Sequence, residues 1–113
     1  MKKGTIVLAI FPFTDLNSVK RRPALVISTD NEGKRDVIIA FISSVVTENS
    51  LSTDLILNEK DKNFSTTGLH KTSVIKFDKI MTIEKSLLIG EIGSTPIELM
   101  YEIDKRIKIV FGL

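Results

Sequence analysis

The apolar positions of this chain fall mainly into short runs, most of them too brief for a helix. Residues 5–11 are apolar on both alternating faces, with Ile6, Leu8 and Ile10 on one and Val7, Ala9 and Phe11 on the other. That is the pattern of a strand covered on both sides. Residues 23–29 repeat this character, the cluster Asp30-Asn31-Glu32-Gly33 signals a turn, and residues 36–42 form another buried run. Residues 23–42 therefore predict a β-hairpin. Shorter strands are predicted at 54–57, 72–77, 80–84 and 88–92. Two polar connections, 12–22 and 58–71, exceed an ordinary hairpin loop. Loops of that length either carry function or are excursions with no task, and both readings stand at this point.

The C-terminal segment has a different period. Thr95-Pro96-Ile97-Glu98 has the form of a capping box, with Thr95 as N-cap, Pro96 at the first helical position and Glu98 at the third. Ile97, Met100, Ile103, Ile107 and Val110 then recur at helical spacing, which predicts a helix packing this stripe on the sheet. Lys105, Arg106 and Lys108 sit towards its C-terminal end, where the helix dipole favours cations. Several bent strands and one terminal helix predict a mainly β fold, a small β-barrel plus a C-terminal helix. No repeat, low-complexity tract or linker divides the chain, so residues 1–113 are expected to form a single domain.

Composition narrows the chemistry. With 42% hydrophobic and 27% charged residues, the 113-residue chain can build a core, and global disorder is excluded. The absence of cysteine excludes disulfides, thiolate metal sites and thiol nucleophiles. One histidine, His70, cannot make a multi-histidine cluster, and nothing points to a metal or another cofactor. Sixteen Lys and Arg against fourteen Asp and Glu give a net charge of +2, compatible with a nucleic-acid partner without requiring one. Met1-Lys2-Lys3 resembles the charged start of a signal peptide, but the following apolar run is short and lacks a small-residue cleavage site. No apolar stretch approaches the roughly 18 residues of a membrane span, and the expected compartment is the cytoplasm.

Walker, GxGxxG, GxSxG and HExxH motifs are all absent. Catalysis would have to rest on Arg, Lys, Asp, Glu, Ser or Thr, or on a nucleophile that the substrate brings. RNA brings one, because its 2′-OH can attack the adjacent phosphodiester. An enzyme exploiting this must stabilise a crowded, doubly charged phosphorane and move protons. A guanidinium fork suits that task, since it pairs with phosphate oxygens bidentately. Lys20-Arg21-Arg22 stands at the exit of the first long connection, with Arg22 directly before Pro23 and a buried strand. The residue before proline is held extended, so Arg22 projects in a fixed direction. The run 36–42 breaks into Ser43-Ser44, and a 23–42 hairpin would put Arg22 and Ser43 at the same end of adjacent strands. Basic loop ends and Ser-Ser strand ends also occur in proteins without an active site, so these residues alone leave both readings open.

The strings Gly4-Thr5-Ile6-Val7-Leu8, Phe11-Pro12-Phe13-Thr14-Asp15 and Lys20-Arg21-Arg22-Pro23-Ala24-Leu25-Val26-Ile27-Ser28 resemble the opening of the MazF/PemK family of toxin endoribonucleases. The similarity continues through Ile42-Ser43-Ser44, Gly68-Leu69, Ser73-Val74-Ile75 and Met81-Thr82-Ile83-Glu84, covering nearly the whole chain in order. The resemblance implies an SH3-like barrel of the PemK/CcdB-type toxin fold with a C-terminal helix, working as a homodimer. It also implies metal-independent, sequence-selective cleavage of single-stranded RNA, leaving a 2′,3′-cyclic phosphate and a 5′-hydroxyl. A cognate antitoxin would block the groove with an acidic, extended segment.

By this resemblance Arg22 matches the family's catalytic arginine, holding the phosphate and taking part in proton transfer. Ser43 stands where well-known members have threonine; its hydroxyl can donate the same hydrogen bond but lacks the methyl that fixes the rotamer. Lys76-Phe77-Asp78 matches an arginine–aspartate pair of the plasmid-borne branch, and strand alternation would put Lys76 and Asp78 on one face as an acid–base pair or a plain ion pair. Lysine for arginine is not conservative at a bidentate site. The 12–22 connection resembles a substrate-gating loop in which Phe13 either stacks on a base or plugs the core, with Thr14 beside it. Lys20, Arg21, Ser44, His70 and Lys71 complete the candidate RNA contacts, with a solvated role as the alternative for the charged ones. Two other outcomes share this fold: a gyrase-poisoning toxin, which the ending Phe111-Gly112-Leu113 superficially fits, and a barrel that binds RNA or antitoxin without cutting.

Overall fold

The structure, a computed structural model, describes residues 1–11, 20–30, 33–47 and 50–113, with Phe11 described by its backbone only. Among the described residues six strands form one antiparallel sheet: β1 (Thr5–Phe11), β2 (Lys20–Val26), β3 (Asp36–Ser43), β4 (Asp54–Leu57), β5 (Ser73–Glu84) and β6 (Leu88–Ser94). Their order across the sheet is β4-β5-β3-β2-β1-β6. The one α-helix among the described residues, α1 (Met100–Phe111), packs against β4 and β5. Among the described residues no helix is long and apolar enough to cross a membrane. The mainly β architecture with a terminal helix is thus the one the hydrophobic pattern predicts.

Strand alternation divides the buried side chains into two sets. Ile6, Leu25, Ala40, Ile42, Leu55, Leu57, Ile75 and Phe77 lie on the face that α1 covers through Ile103. Val7, Ala9, Ala24, Val26, Val37, Ile39 and Ile83 lie on the opposite face, with Met1, Phe41, Met81 and Leu88 packed against them. Both faces of β1 and of the Ala24–Val26 half of β2 are therefore buried, which is why these stretches read as continuous apolar runs rather than alternating ones. Burial of each Val, Leu, Ile or Phe among them stabilises the fold by about 1.5–3 kcal/mol before the entropy of ordering is subtracted.

Three expectations change. The segments predicted as two strands at 72–77 and 80–84 form one long strand, β5, because Ala40 pairs with Ile80 while its neighbour Phe41 pairs with Lys76. A bulge at residues 77–79 absorbs the difference and bends the strand. The capping box at Thr95 does not form. Thr95 is buried and its hydroxyl donates to the carbonyl of Gly4 (3.1 Å), a contact across the whole chain that withdraws it from the helix start. Asn63 Nδ2 donates to Glu98 Oε1 instead. The helix begins at Met100 after a 3₁₀ turn over Ile97–Leu99, which leaves Ile97 84% exposed and outside the buried stripe. Met100, Ile103, Ile107 and Val110 remain on the core side.

The helix ends in a Schellman motif. Gly112 adopts φ 69°, its N–H donates to Ile109, and the N–H of Leu113 donates to Lys108 (2.9 Å). The Phe-Gly-Leu ending thus has a sufficient structural reason as a helix stop. The connection 58–71 is packed rather than an open excursion. Its 3₁₀ turn (Phe64–Thr67) lies on β6, Thr67 is fully buried, and Gly68 takes φ 72° with its backbone against the Ile92 carbonyl. A side chain at Gly68 would collide with that carbonyl.

Candidate active site

The site is built at the end of the sheet where β2 begins and β3 finishes. β2 and β3 pair in the register Ala24↔Phe41, Leu25↔Ala40 and Val26↔Ile39. Continued by two residues, this register sets Arg22 opposite Ser43. Ala24 and Val26 share the Val7–Ala9 face, so Arg22, two residues before Ala24, belongs to that face as well. Ser43 follows Val37, Ile39 and Phe41 by the same alternation and faces the same way. The ladder stops at Pro23, which has no N–H to donate to β3. Beyond it the two strands are joined by no paired residues, which leaves Arg22 and Ser43 at the open end of the hairpin.

Arg22 is exposed, and among the described residues no carboxylate pairs with it or with its neighbours Lys20 and Arg21. A guanidinium without a carboxylate partner keeps its fork of donors for an anion. The Ser43 hydroxyl is half-buried, and its Oγ accepts the backbone N–H of Val45 (3.1 Å). That bond occupies a lone pair of the oxygen and leaves the proton to donate. It also restrains the side chain, supplying part of the rotamer control that a threonine methyl would give.

β5 contributes the next groups. Val74 lies opposite Ser43 on one side and Ile56 on the other, and Lys76 lies between Phe41 and Asp54 in the adjacent row. Lys76 Nζ stands 3.8 Å from Asp54 Oδ2, with side-chain exposures of 28% and 4%. Asp54 Oδ2 also accepts the Leu51 N–H (3.0 Å), whereas Oδ1 is buried with no hydrogen-bond partner among the described residues. The carbonyl of Asp54 accepts Arg106 Nε (2.6 Å), which ties this edge strand to α1. The carboxylate beside Lys76 is therefore Asp54 and not Asp78. Asp78 is exposed in the bulge at residues 77–79, where the alternation that would align it with Lys76 breaks down. Asp54 was not among the sequence candidates. The available signal was an aspartate opening a strand whose other residues are apolar.

Ser43, Val45, Val46, Thr47, Ser50, Asp54, Ile56, Val74 and Lys76 line a cleft of about 200 Å³. Arg22 is not part of its lining. Ser44 is exposed just past the end of β3, and His70 and Lys71 are exposed in the turn leading into β5, at this same end of the sheet. Phe13 and Thr14 lie outside the described residues. Among the described residues, no three His, Asp or Glu side chains gather where a metal ion could bridge them.

The family model of the PemK-like, MazF-like toxin of type II toxin–antitoxin systems matches residues 2–111. The chain belongs to this family. A curated relative named Endoribonuclease MazF6, from Mycobacterium tuberculosis, is 33% identical over 96 residues, covering 83% of this chain and 81% of that protein. Among solved structures, an endoribonuclease in complex with its cognate antitoxin from a mycobacterial species superposes with TM-score 0.75 at 21% identity, covering 100% of this chain and 96% of that one. A MazE–MazF structure from Deinococcus radiodurans superposes with TM-score 0.76 at 18% identity, covering 100% and 96%. This MazF-like toxin thus has the family's fold along its whole length, with Arg22-Pro23 and Ser43-Ser44 at one end of the sheet beside the cleft.

Proposed function

We propose that this MazF-like toxin is an endoribonuclease that cuts single-stranded RNA, mRNA included, without a metal, using the 2′-OH of the substrate as nucleophile. The observation that supports it most is the β2–β3 register, which, carried two residues past its last pair at Ala24↔Phe41, sets Arg22 and Ser43 opposite each other on one face at the open end of the hairpin. A phosphodiester laid across that opening meets a guanidinium fork from β2 and a hydroxyl proton from β3. As O2′ attacks phosphorus, the O2′–H bond breaks, a P–O2′ bond forms and the P–O5′ bond breaks. The proton lost at O2′ is matched by one gained at O5′, giving a 2′,3′-cyclic phosphate and a 5′-hydroxyl. The phosphorane carries two negative charges where the diester carried one, and donors aimed at the added charge stabilise it more than the ground state. Arg22 neutralises the non-bridging oxygens and takes part in the proton transfer, while Ser43 donates one hydrogen bond.

Lys20 and Arg21, and Lys71 on the neighbouring turn, extend the cationic surface along which an RNA strand would run. The same cations suit an acidic, extended antitoxin segment, the inhibitor expected for a toxin whose solved relative is bound to its cognate antitoxin. Ile97, Tyr101, Phe111 and Leu113 are exposed apolar side chains on and around α1, and a homodimer would cover part of them. The working compartment is the cytoplasm, where mRNA and antitoxin are made.

A long single-stranded transcript incubated with the purified toxin in excess EDTA tests this reading. Cleavage by the wild type and none by Arg22→Ala is expected. A requirement for added Mg²⁺, or cleavage that survives loss of Arg22, overturns it.

A further inference from the structure

We propose that the cleft beside Ser43 is a nucleobase subsite, and that the Lys76–Asp54 pair makes it prefer a base with a carbonyl in place of the exocyclic amino group at purine C6 or pyrimidine C4, guanine or uracil. This inference rests on the ribonuclease reading above. The cleft lies between the outer face of β4–β5 and the chain that follows β3. One side supplies Ile56 and Val74, which are direct cross-strand neighbours, and the other supplies Val45 and Val46. Aliphatic walls with a few convergent polar groups are what a flat heterocycle requires. Ser43 belongs both to this lining and to the site of the scissile phosphate, so a base bound here belongs to a nucleotide beside the cut.

The polar groups set the preference. Asp54 Oδ1 is sealed from solvent and Oδ2 already accepts the Leu51 N–H, so the carboxylate is not the group a ligand meets. Lys76 is the accessible member of the pair. At 3.8 Å from Oδ2 its ammonium is beyond hydrogen-bond reach, close enough to be held by the charge yet with protons left to donate. An ammonium has donors and no acceptor, so it satisfies the carbonyl of guanine or uracil. The amino group that adenine or cytosine presents at the same position would meet donor against donor. Asp54 is then a positioning residue: buried, fixed to α1 through Arg106, and directly opposite Lys76 across the β4–β5 ladder.

The test is the base composition around the cut sites in a long random-sequence transcript, obtained by sequencing the fragment 5′ ends. Wild-type toxin is expected to show guanine or uracil enrichment at one position adjoining the cut. Lys76→Met should flatten that enrichment by roughly tenfold, Asp54→Asn should weaken it in the same direction, and Val46→Phe, which fills the cleft from its exposed wall, should abolish it. If Lys76→Met does not cut, uncleavable 2′-deoxy oligonucleotides differing only at that base give the same comparison through binding. Enrichment of adenine or cytosine at both adjoining positions, or base frequencies that stay the same in all three variants, overturns the subsite. Absence of cutting by the wild type instead removes the ribonuclease reading, and the two failures are distinct.

Discussion

Asp54 and Lys76 face each other across the β4–β5 ladder, one carboxylate almost wholly buried and one ammonium 3.8 Å away at the surface of a cleft. A buried carboxylate with one oxygen unpartnered is costly, and Lys76 is the cation the described residues set beside it. Removing one partner of such a pair exposes the full desolvation penalty of the other.

Lys76→Met is accordingly expected to destabilise the fold by about 1–3 kcal/mol, and Asp54→Asn by less, because the amide carries no charge to strand. In a double-mutant cycle followed by urea unfolding, the pair of substitutions should cost less than the sum of the single ones. Additivity within about 0.3–0.5 kcal/mol would show that the two side chains do not interact.

The packing of the 58–71 connection on β6 depends on two glycines. A Cβ at Gly93 would fall on the Thr66 carbonyl and the Thr67 backbone, where no flexible side chain can yield. Gly93→Ala is expected to cost about 3 kcal/mol and lower Tm by more than about 10 °C. Gly90→Ala, on the same strand with open space around it, is the control and should shift Tm far less. Equal effects would contradict the packing described.

Much of this fold is legible along the chain because it follows from local periodicity. β1 reads as doubly buried and Asp54–Leu57 as a short strand, and the structure agrees; the terminal amphipathic helix is also there, though it starts at Met100 and not at Pro96. What escapes are features decided by contacts distant in sequence. Thr95 has every local attribute of an N-cap, but the Gly4 carbonyl takes its hydroxyl. Lys76 and Asp78 look like neighbours on one face until the β5 bulge, required by pairing with β3, separates them. Asp54 is silent in the sequence because only the β4–β5 register reveals Lys76 as its partner. The β2–β3 pairing, which ends two residues short of Arg22 and Ser43, is legible because hairpin pairing is nearly a local property.

Ser43→Ala should lower kcat by about 10²–10³-fold with Tm nearly unchanged, since it removes one donor from a half-buried strand end. Ser43→Thr should retain activity. Single-turnover cleavage of a fixed RNA measures both, and full activity in Ser43→Ala would remove this hydroxyl from the site.

Lys20→Gln and Arg21→Gln should weaken RNA binding regardless of sequence. Each should reduce the slope of log K against log salt by about 0.7, the value for one phosphate contact on a single strand. An unchanged slope would place these side chains off the RNA path.

In the proposed reaction the substrate supplies its own nucleophile while Arg22 and Ser43 grip the phosphate it attacks. This is tested most directly by replacing one ribose in an otherwise cleavable oligonucleotide with 2′-deoxyribose, at the nucleotide 5′ to the cut. Cleavage at that linkage is expected to stop while binding persists. Continued cleavage there would contradict the proposed reaction.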